Sequence, residues 1–129
     1  MSGDVLLDTN VVNALFNRDP AVVQRIVAAP TAYLPVIVIG ELCFGAQKSA
    51  HLATNLQRIG DLISRTNVLP CDQNTAFVYG QLKQQLRAQG TPIPENDLWI
   101  AAITQQHGLT LLSRDVHFRQ VPGIALESC

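Results

Sequence analysis

The chain has 129 residues, 47% of them hydrophobic and 15% charged, with a formal net charge of −1. This length suits one domain with its own core, so we expect a single domain over residues 1–129. The near-neutral charge argues against binding to nucleic acid through bulk charge, and no apolar run reaches the roughly 18 residues of a membrane-spanning helix.

The N-terminal residues Met1 to Asp4 lack the basic start and the long apolar region of a secretory signal. We therefore expect a cytoplasmic protein without membrane contact. Cysteines and histidines are scattered and lack the paired spacing of disulfide frameworks or zinc sites. We expect reduced thiols, the first two of them buried, and no zinc site built from histidine. The residues concerned are Cys43, Cys71, Cys129, His51, His107 and His117.

The first predicted element is a short strand over residues 5–7, followed by Asp8, Thr9 and Asn10. A run of branched apolar residues that ends in polar groups is typical of a buried parallel strand, and ligands bind at the carboxyl edge of such sheets. Apolar residues at helical spacing then predict a helix over 10–16, which Thr9 or Asn10 would cap.

The next segment predicts two helices and the second strand. A helix over 21–28 follows Asp19, which is placed to cap it. A strand at about 32–34 runs into a helix that starts near Val36, because proline suits the first helical turn. This assignment puts Glu41 on a helix, about one turn from its N-terminus.

Two further helices and a third strand follow. Apolar spacing predicts a helix over 50–63, then a short strand over 67–70. Asp72 is placed to cap a polar-faced helix over 76–89, which glycine ends. The residues expected to face inward from this helix are Phe77, Leu82 and Leu86.

The last elements carry two more acids. A helix that ends at Gly108 is apolar around most of its circumference, so it should be buried, with Asp97 in its first turn at the edge of the core. A strand over 110–113 leads into Asp115, and residues 124–127 form a last edge strand. Strand and helix alternate throughout, which predicts an α/β fold with a parallel twisted sheet and helices on both faces.

Four acids lie at strand ends or near helix starts, and we expect them to converge. Two unit charges about 4 Å apart repel by about 4 kcal/mol at an effective dielectric near 20, so such a cluster needs a cation. Oxygen ligands suit Mg²⁺, or alternatively Mn²⁺. Neighbouring polar groups could orient the ligands or waters. The acids are Asp8, Glu41, Asp97 and Asp115, and the supporting residues are Thr9, Asn10 and Ser113.

Each acid also has a simpler explanation. Asp8 and Asp97 could only cap helices, Glu41 could be solvated, and Asp115 could begin a turn. The joint pattern favours the metal site. With the four acids set aside, nine basic residues face six acidic ones, which permits a phosphate partner without demonstrating one.

These acids lie in four motifs that, in this order, resemble those of PIN-domain ribonucleases, and in particular the VapC toxins of bacterial toxin–antitoxin pairs. The resemblance covers essentially the whole chain. It implies a Mg²⁺-dependent endoribonuclease that cleaves cellular RNA, often tRNA, is neutralised by a cognate VapB antitoxin, and forms a homodimer. It also makes the four acids the catalytic and metal-binding quartet. The motifs are Leu7-Asp8-Thr9-Asn10, residues 40–46, residues 94–102, and residues 113–118 with 121–123.

The expected reaction is an in-line attack of a metal-activated water on an RNA phosphodiester, with a carboxylate accepting the proton. Arg114 could contact the substrate phosphate or could simply close a turn. Residues 91–94 are similar to the subgroup that cuts initiator tRNA, and helices between residues 21 and 63 are expected to bind the antitoxin. Candidates for a diffuse RNA track are Arg18, Lys48, Arg58, Lys83 and Arg87.

Four alternatives remain open at this point. The chain could be a PIN-fold binding module without catalysis, or a metal-dependent nuclease outside a toxin–antitoxin pair. A phosphatase of the haloacid dehalogenase type would use Asp8 as its nucleophile, but it needs an aspartate where Asn10 stands. A flap-type DNA nuclease shares the core fold but carries more acids and a longer chain.

Overall fold

The computed structural model describes residues 3–129. Met1 and Ser2 lie outside the described residues, although the expected domain and the N-terminal segment considered for a secretory signal both include them. The core is a five-stranded sheet in the order β3-β2-β1-β4-β5, and every pair of neighbours is parallel. The strands are β1 (Val5–Leu7), β2 (Ala32–Pro35), β3 (Asn67–Leu69), β4 (Thr110–Leu112) and β5 (Ala125–Glu127).

Helices connect these strands in the order that the sequence predicts. Because crossovers between parallel strands are right-handed, α1 to α4 cover one face of the sheet and α5 and α6 cover the other. The predicted α/β fold, a parallel sheet with helices on both faces, is confirmed. The helices are α1 (Thr9–Phe16), α2 (Pro20–Ala28), α3 (Val36–Lys48), α4 (Leu52–Arg65), α5 (Gln73–Gln89) and α6 (Glu95–His107), and a 3₁₀ helix covers Val116–Gln120.

Helix ends follow their capping residues. The carboxylate of Asp19 accepts from the first amides of α2, and Asp72 forms a capping box at the start of α5. Gly90 and Gly108 end α5 and α6 in the left-handed region, with φ of 74° and 63°. All four were expected from the sequence. The cap of α1 is the exception, because Asp8, rather than Thr9 or Asn10, caps that helix.

The inward face of α5 was predicted only in part. Leu82 and Leu86 are buried, as expected, but 68% of Phe77 is exposed, so its inward assignment was wrong. The helix begins earlier than expected and buries Thr75. At 3.6 residues per turn, Phe77 lies about 200° around the helix from Thr75, on the solvent side.

The cysteines are free, in line with the expectation of reduced thiols. Cys43 is half-buried, but Cys71 is exposed in the turn before α5, so the expectation that it fills a buried position was wrong. Within residues 3–129, no helix is long and apolar enough to cross a membrane.

The centre of the sheet places the polar segment that follows β1. All three residues of β1 are fully buried, and the strand pairs with β2 on one side and β4 on the other. The strand order reverses between β1 and β4, and ligands of open parallel sheets bind at such a switch point, beyond the carboxyl ends. Leu7 pairs with Leu112 there, so Asp8 and Ser113 follow side by side.

Candidate metal centre

Asp8 is the most buried of the four acids, with 3% of its surface exposed. Its Oδ1 accepts a hydrogen bond from the Thr9 amide at 2.8 Å, and its Oδ2 accepts from Ser113 Oγ at 2.6 Å and from Asn10 Nδ2 at 3.1 Å. The three residues predicted to support the site therefore all donate to this carboxylate or lie next to it. They hold both of its oxygens in fixed positions.

Burial raises the pKa of Asp8, although the hydrogen bonds from Ser113 and Thr9 work against this effect. Repulsion from Glu41 and from Asp115 raises the pKa further. Two of the other predicted acids are thus close enough to Asp8 to interact electrostatically with it. The three carboxylates come from β1, α3 and the turn after β4.

Glu41 reaches this group from the second turn of α3. Its Oε1 accepts a hydrogen bond from Thr9 Oγ1 at 2.7 Å, which ties α3 to the start of α1. Both residues line a cavity of about 270 Å³ between α1, α3 and α4. Arg58 of α4 lines the same cavity.

The turn after β4 is bound to the turn after β1. Ser113 Oγ accepts from the Asp115 amide at 3.0 Å while it donates to Asp8, and Asn10 Oδ1 accepts from the Arg114 amide at 3.1 Å. Asp115 in turn caps the 3₁₀ helix through the amide of His117. The two turns form one hydrogen-bonded unit that carries two of the acids.

Asp97 lies in the first turn of α6, with 14% of its side chain exposed. Burial, followed by repulsion from Asp115 and then Asp8, raises its pKa to about 6, and a hydrogen bond with His117 opposes the shift. The interaction with both Asp8 and Asp115 joins α6 to the site. The structure therefore brings together all four acids that the sequence singled out. Glu41 and Asp115 each repel Asp8, and Asp97 is repelled by both Asp115 and Asp8.

His117 belongs to this cluster, and the sequence analysis missed it. Its Nδ1 lies 3.2 Å from Asp97 Oδ2 and 3.1 Å from Asp115 Oδ1. Ligand atoms of the three residues all lie within 4.8 Å of one another, whereas Asp8 interacts electrostatically with Asp97 and Asp115, and Glu41 interacts with Asp8. The available signal was the position of His117 two residues after a predicted site acid.

Arg114 has partners of its own within the protein. Its guanidinium pairs with Asp19 Oδ2 at 2.9 Å and donates from Nε to the main-chain oxygen of Cys129 at 2.7 Å. These contacts tie the turn after β4 to the start of α2 and to the last residue of the chain. A contact between Arg114 and a substrate phosphate would require these bonds to open, and it stays a prediction.

The donor set fits a divalent cation. Four carboxylates, with Asp8 deeply buried, are costly together unless a positive charge offsets them. Their oxygens are the ligands that Mg²⁺ and Mn²⁺ prefer, and the hydroxyl and amide groups around Asp8 supply the second layer of hydrogen bonds that orients such ligands.

Comparisons with known proteins agree with this geometry. The family model described as PIN domain matches residues 5–124. Ribonuclease VapC2 of Haemophilus influenzae is 32% identical over 126 residues, which cover 95% of this chain and 96% of that protein. The tRNA(fMet)-specific endonuclease VapC of Salmonella typhimurium is 30% identical over 125 residues, 95% of each chain. The crystal structure of DNA-bound VapBC from Salmonella typhimurium superposes with a TM-score of 0.90 at 30% identity, covering 99% of this chain and 98% of the other.

Proposed function

This chain belongs to the PIN-domain family, and within it to the VapC ribonucleases, and on that premise we propose that it is a metal-dependent endoribonuclease and the toxin of a toxin–antitoxin pair. The resemblance carried by the four sequence motifs is thereby confirmed. The observation that carries the proposal is the meeting of four carboxylates at the switch point of the sheet.

We assign the cation to the four acids, with Mg²⁺ as the expected ion and Mn²⁺ as the alternative. Asp8 and Asp97 would be its principal ligands, and Glu41 and Asp115 would complete the set. When bound, such an ion offsets the repulsion between carboxylates, acidifies water and stabilises negative charge on a phosphoryl oxygen.

The hydrogen bonds favour different roles for Asp8 and Glu41. Asp8 has both oxygens occupied by donors, so it is suited to hold an ion rather than to take up a proton. Glu41 uses Oε1 for Thr9 and lines the neighbouring cavity, so we assign to it the acceptance of a proton from the attacking water. No side-chain nucleophile is required.

The RNA would approach through the cavity next to Glu41. Of the basic residues considered for an RNA track, Arg58 lines this cavity, and it also lines a second cavity of about 420 Å³ together with Arg18 and Arg65. Lys83, by contrast, is paired with Glu95 at 3.2 Å. We therefore propose that the RNA backbone crosses α4 at Arg58 on its way to the acids.

A protein partner would cover the helices on the same side of the sheet. Large apolar side chains are exposed along α2, α3 and α4, and exposed apolar side chains that group together mark interaction sites. One related structure is a VapBC complex, so we propose a VapB-like antitoxin as the partner, in addition to the homodimer usual in the family. The exposed residues are Val27, Val36, Phe44, Leu52, Leu56 and Ile63.

RNA cleavage by the purified protein tests the proposal. With Mg²⁺ or Mn²⁺ the protein should cleave RNA, EDTA should stop the reaction, and Asp8→Asn or Asp97→Asn should abolish it without loss of fold. The matched control is Asp61→Asn, because Asp61 is an exposed aspartate on α4. Cleavage by the Asp8 or Asp97 variant would reject the assignment.

Two further readouts separate the alternatives. A phosphatase would hydrolyse small phosphate monoesters, and a binding module would leave RNA intact with every metal. As a toxin, the wild-type chain should arrest growth when it is expressed without the product of a neighbouring antitoxin-like gene, whereas Asp8→Asn should not. Normal growth with the wild type would contradict the toxin assignment.

A further inference from the structure

His117 stands inside the acidic site, and neither the sequence motifs nor the comparisons assign it a role. We propose that Nδ1 of His117 is a nitrogen ligand of the cation in this chain, and that it shifts the preference of the site from Mg²⁺ toward Mn²⁺. The inference rests on the proposed function in one respect, that a divalent cation binds among the acids.

The spacing of the three ligand atoms fits one ion. Nδ1 of His117 lies 3.2 Å from Asp97 Oδ2 and 3.1 Å from Asp115 Oδ1. An octahedral ion with bonds of about 2.1 Å places neighbouring ligand atoms about 3.0 Å apart. Ligand atoms of the three residues all lie within 4.8 Å of one another, so small side-chain movements would bring them onto one ion.

The local chain holds the imidazole in this position. Asp115 Oδ1 accepts from the His117 amide at 2.9 Å, which fixes the first turn of the 3₁₀ helix. The next residue, Phe118, is buried in the core with 1% of its surface exposed. The ring is thus carried by a short helix that is capped at one end and anchored directly after the histidine.

Packing alone does not account for the position of the ring. Half of the His117 side chain is exposed, so the core does not require it to lie there. A single N–H at Nδ1 could serve either carboxylate oxygen as a donor, and an ion could take the place of that proton. In the ion-free protein that N–H accounts for the two short distances, and a bound cation would take over the same two carboxylate oxygens.

The added nitrogen changes which metal the site prefers. Carboxylates alone suit Mg²⁺ and Mn²⁺, whereas imidazole is a ligand of transition metals. Mg²⁺ binds mainly oxygen and keeps several waters, so it gains little from a nitrogen donor. Mn²⁺ accepts mixed oxygen and nitrogen ligands, and it can be observed by electron paramagnetic resonance.

Pulsed electron paramagnetic resonance of the full chain with Mn²⁺ tests the ligand directly. The wild type should show coupling of the Mn²⁺ electron spin to a directly bound nitrogen, and His117→Gln should lose it. His107→Gln is the matched control, since His107 is an exposed histidine in the last turn of α6, and this variant should keep the coupling.

Calorimetric titration measures the effect on metal preference. His117→Gln should weaken Mn²⁺ binding by at least about tenfold, as loss of a partner in a metal site commonly does. The same substitution should change Mg²⁺ binding much less, and His107→Gln should change neither. A thermal melt of each variant checks that the fold is retained.

Three results would overturn the proposal. The wild type could bind Mn²⁺ without nitrogen coupling, or His117→Gln could weaken both metals equally. In either case the protein could still cleave RNA, and only the role of His117 would fail. If no divalent cation binds the wild type, the proposed metal-dependent function fails together with it.

Discussion

Asp97 links the stability of the ion-free protein to pH. Its pKa rises from 3.8 to about 6 on folding, because burial and the repulsion of Asp115 and Asp8 disfavour its charge. The folded protein therefore holds a proton on Asp97 that the unfolded chain releases between about pH 4 and pH 6. Below this pH range the raised pKa does not change the free energy of unfolding, and above it the free energy of unfolding is lowered by the full amount. Asp97 therefore destabilises the fold as pH rises.

Removing the charge of Asp97 should therefore stabilise the ion-free protein at neutral pH. In EDTA at pH 7.5, Asp97→Asn should raise the free energy of unfolding by about 3 kcal/mol, because each of the roughly two pKa units is worth about 1.4 kcal/mol. The gain over wild type should shrink to nearly zero by pH 4. Urea unfolding at several pH values measures it, with Asp61→Asn as the control variant. A gain that is constant across pH would contradict the assigned cause.

A second prediction concerns Arg58 and the binding of RNA. Arg58 lines the cavity beside Glu41 and a second cavity, so Arg58→Ala should weaken RNA binding, raise KM more than it lowers kcat, and reduce the salt dependence of binding by about one unit of slope. Filter binding at a series of salt concentrations measures this. Lys83→Ala, which removes an exposed cation already paired with Glu95, should leave the slope unchanged. An equal effect of both variants would indicate only diffuse charge.

At the scale of elements, the site depends on two neighbouring turns. The segments after β1 and β4 are joined by Ser113, whose hydroxyl donates to Asp8 and accepts from the amide of Asp115. These hydrogen bonds hold two carboxylates that repel each other. The fold therefore fixes the acids through the sheet edge, before any ion binds.

Ser113→Ala should weaken this connection. Loss of a hydrogen bond to a buried carboxylate costs about 1 to 3 kcal/mol, so the free energy of unfolding should fall by that amount. Cleavage should fall with it while RNA affinity is kept, because the acids lose their alignment and not their charge. Ser64→Ala, on the exposed side of α4, is the control, and its stability should stay within about 0.5 kcal/mol of wild type. Unchanged stability and activity in Ser113→Ala would contradict the role given to this turn.

Elements with a periodic signal were predictable from the sequence, and those without one were not. Caps and glycines marked helix ends, since their chemistry is local, as at Asp19, Asp72 and Gly108. The 3₁₀ helix after β4 was missed because a single short turn has no apolar period. Phe77 was misplaced because it stands five positions before Leu82, about 140° around α5, so helical spacing puts the two side chains on different faces.

At the scale of the whole molecule, the sequence predicts the site only in part, because some of its contacts join elements that are distant in sequence. The meeting of Asp8 and Asp115 could be inferred, because parallel strands deliver their ends to one edge. Glu41 and Asp97 approach from helices, and only the packed structure shows that Asp97 interacts with Asp8 across the sheet edge. The spacing of His117 from Asp115 indicated a contact with that acid, but its contact with Asp97 could not be inferred, since Asp97 lies on a different element and is distant in sequence.

The arrangement as a whole places the acids, a cavity lined by Glu41 and Arg58, and helices with exposed apolar side chains in one small domain. RNA and an antitoxin would then approach overlapping regions, since α4 carries both Arg58 and exposed leucines such as Leu56. Overlap of this kind would let a bound partner exclude substrate without any change in the fold.

The central claim is that side chains from four parts of the chain hold one divalent ion. Crystals of the wild type grown with Mn²⁺ test it most directly, through the anomalous scattering of the metal. The account predicts an anomalous peak within about 2.0 to 2.3 Å of carboxylate oxygens of both Asp8 and Asp97. A saturating Mn²⁺ concentration that gives no peak at this edge of the sheet, or one that touches neither aspartate, would contradict it.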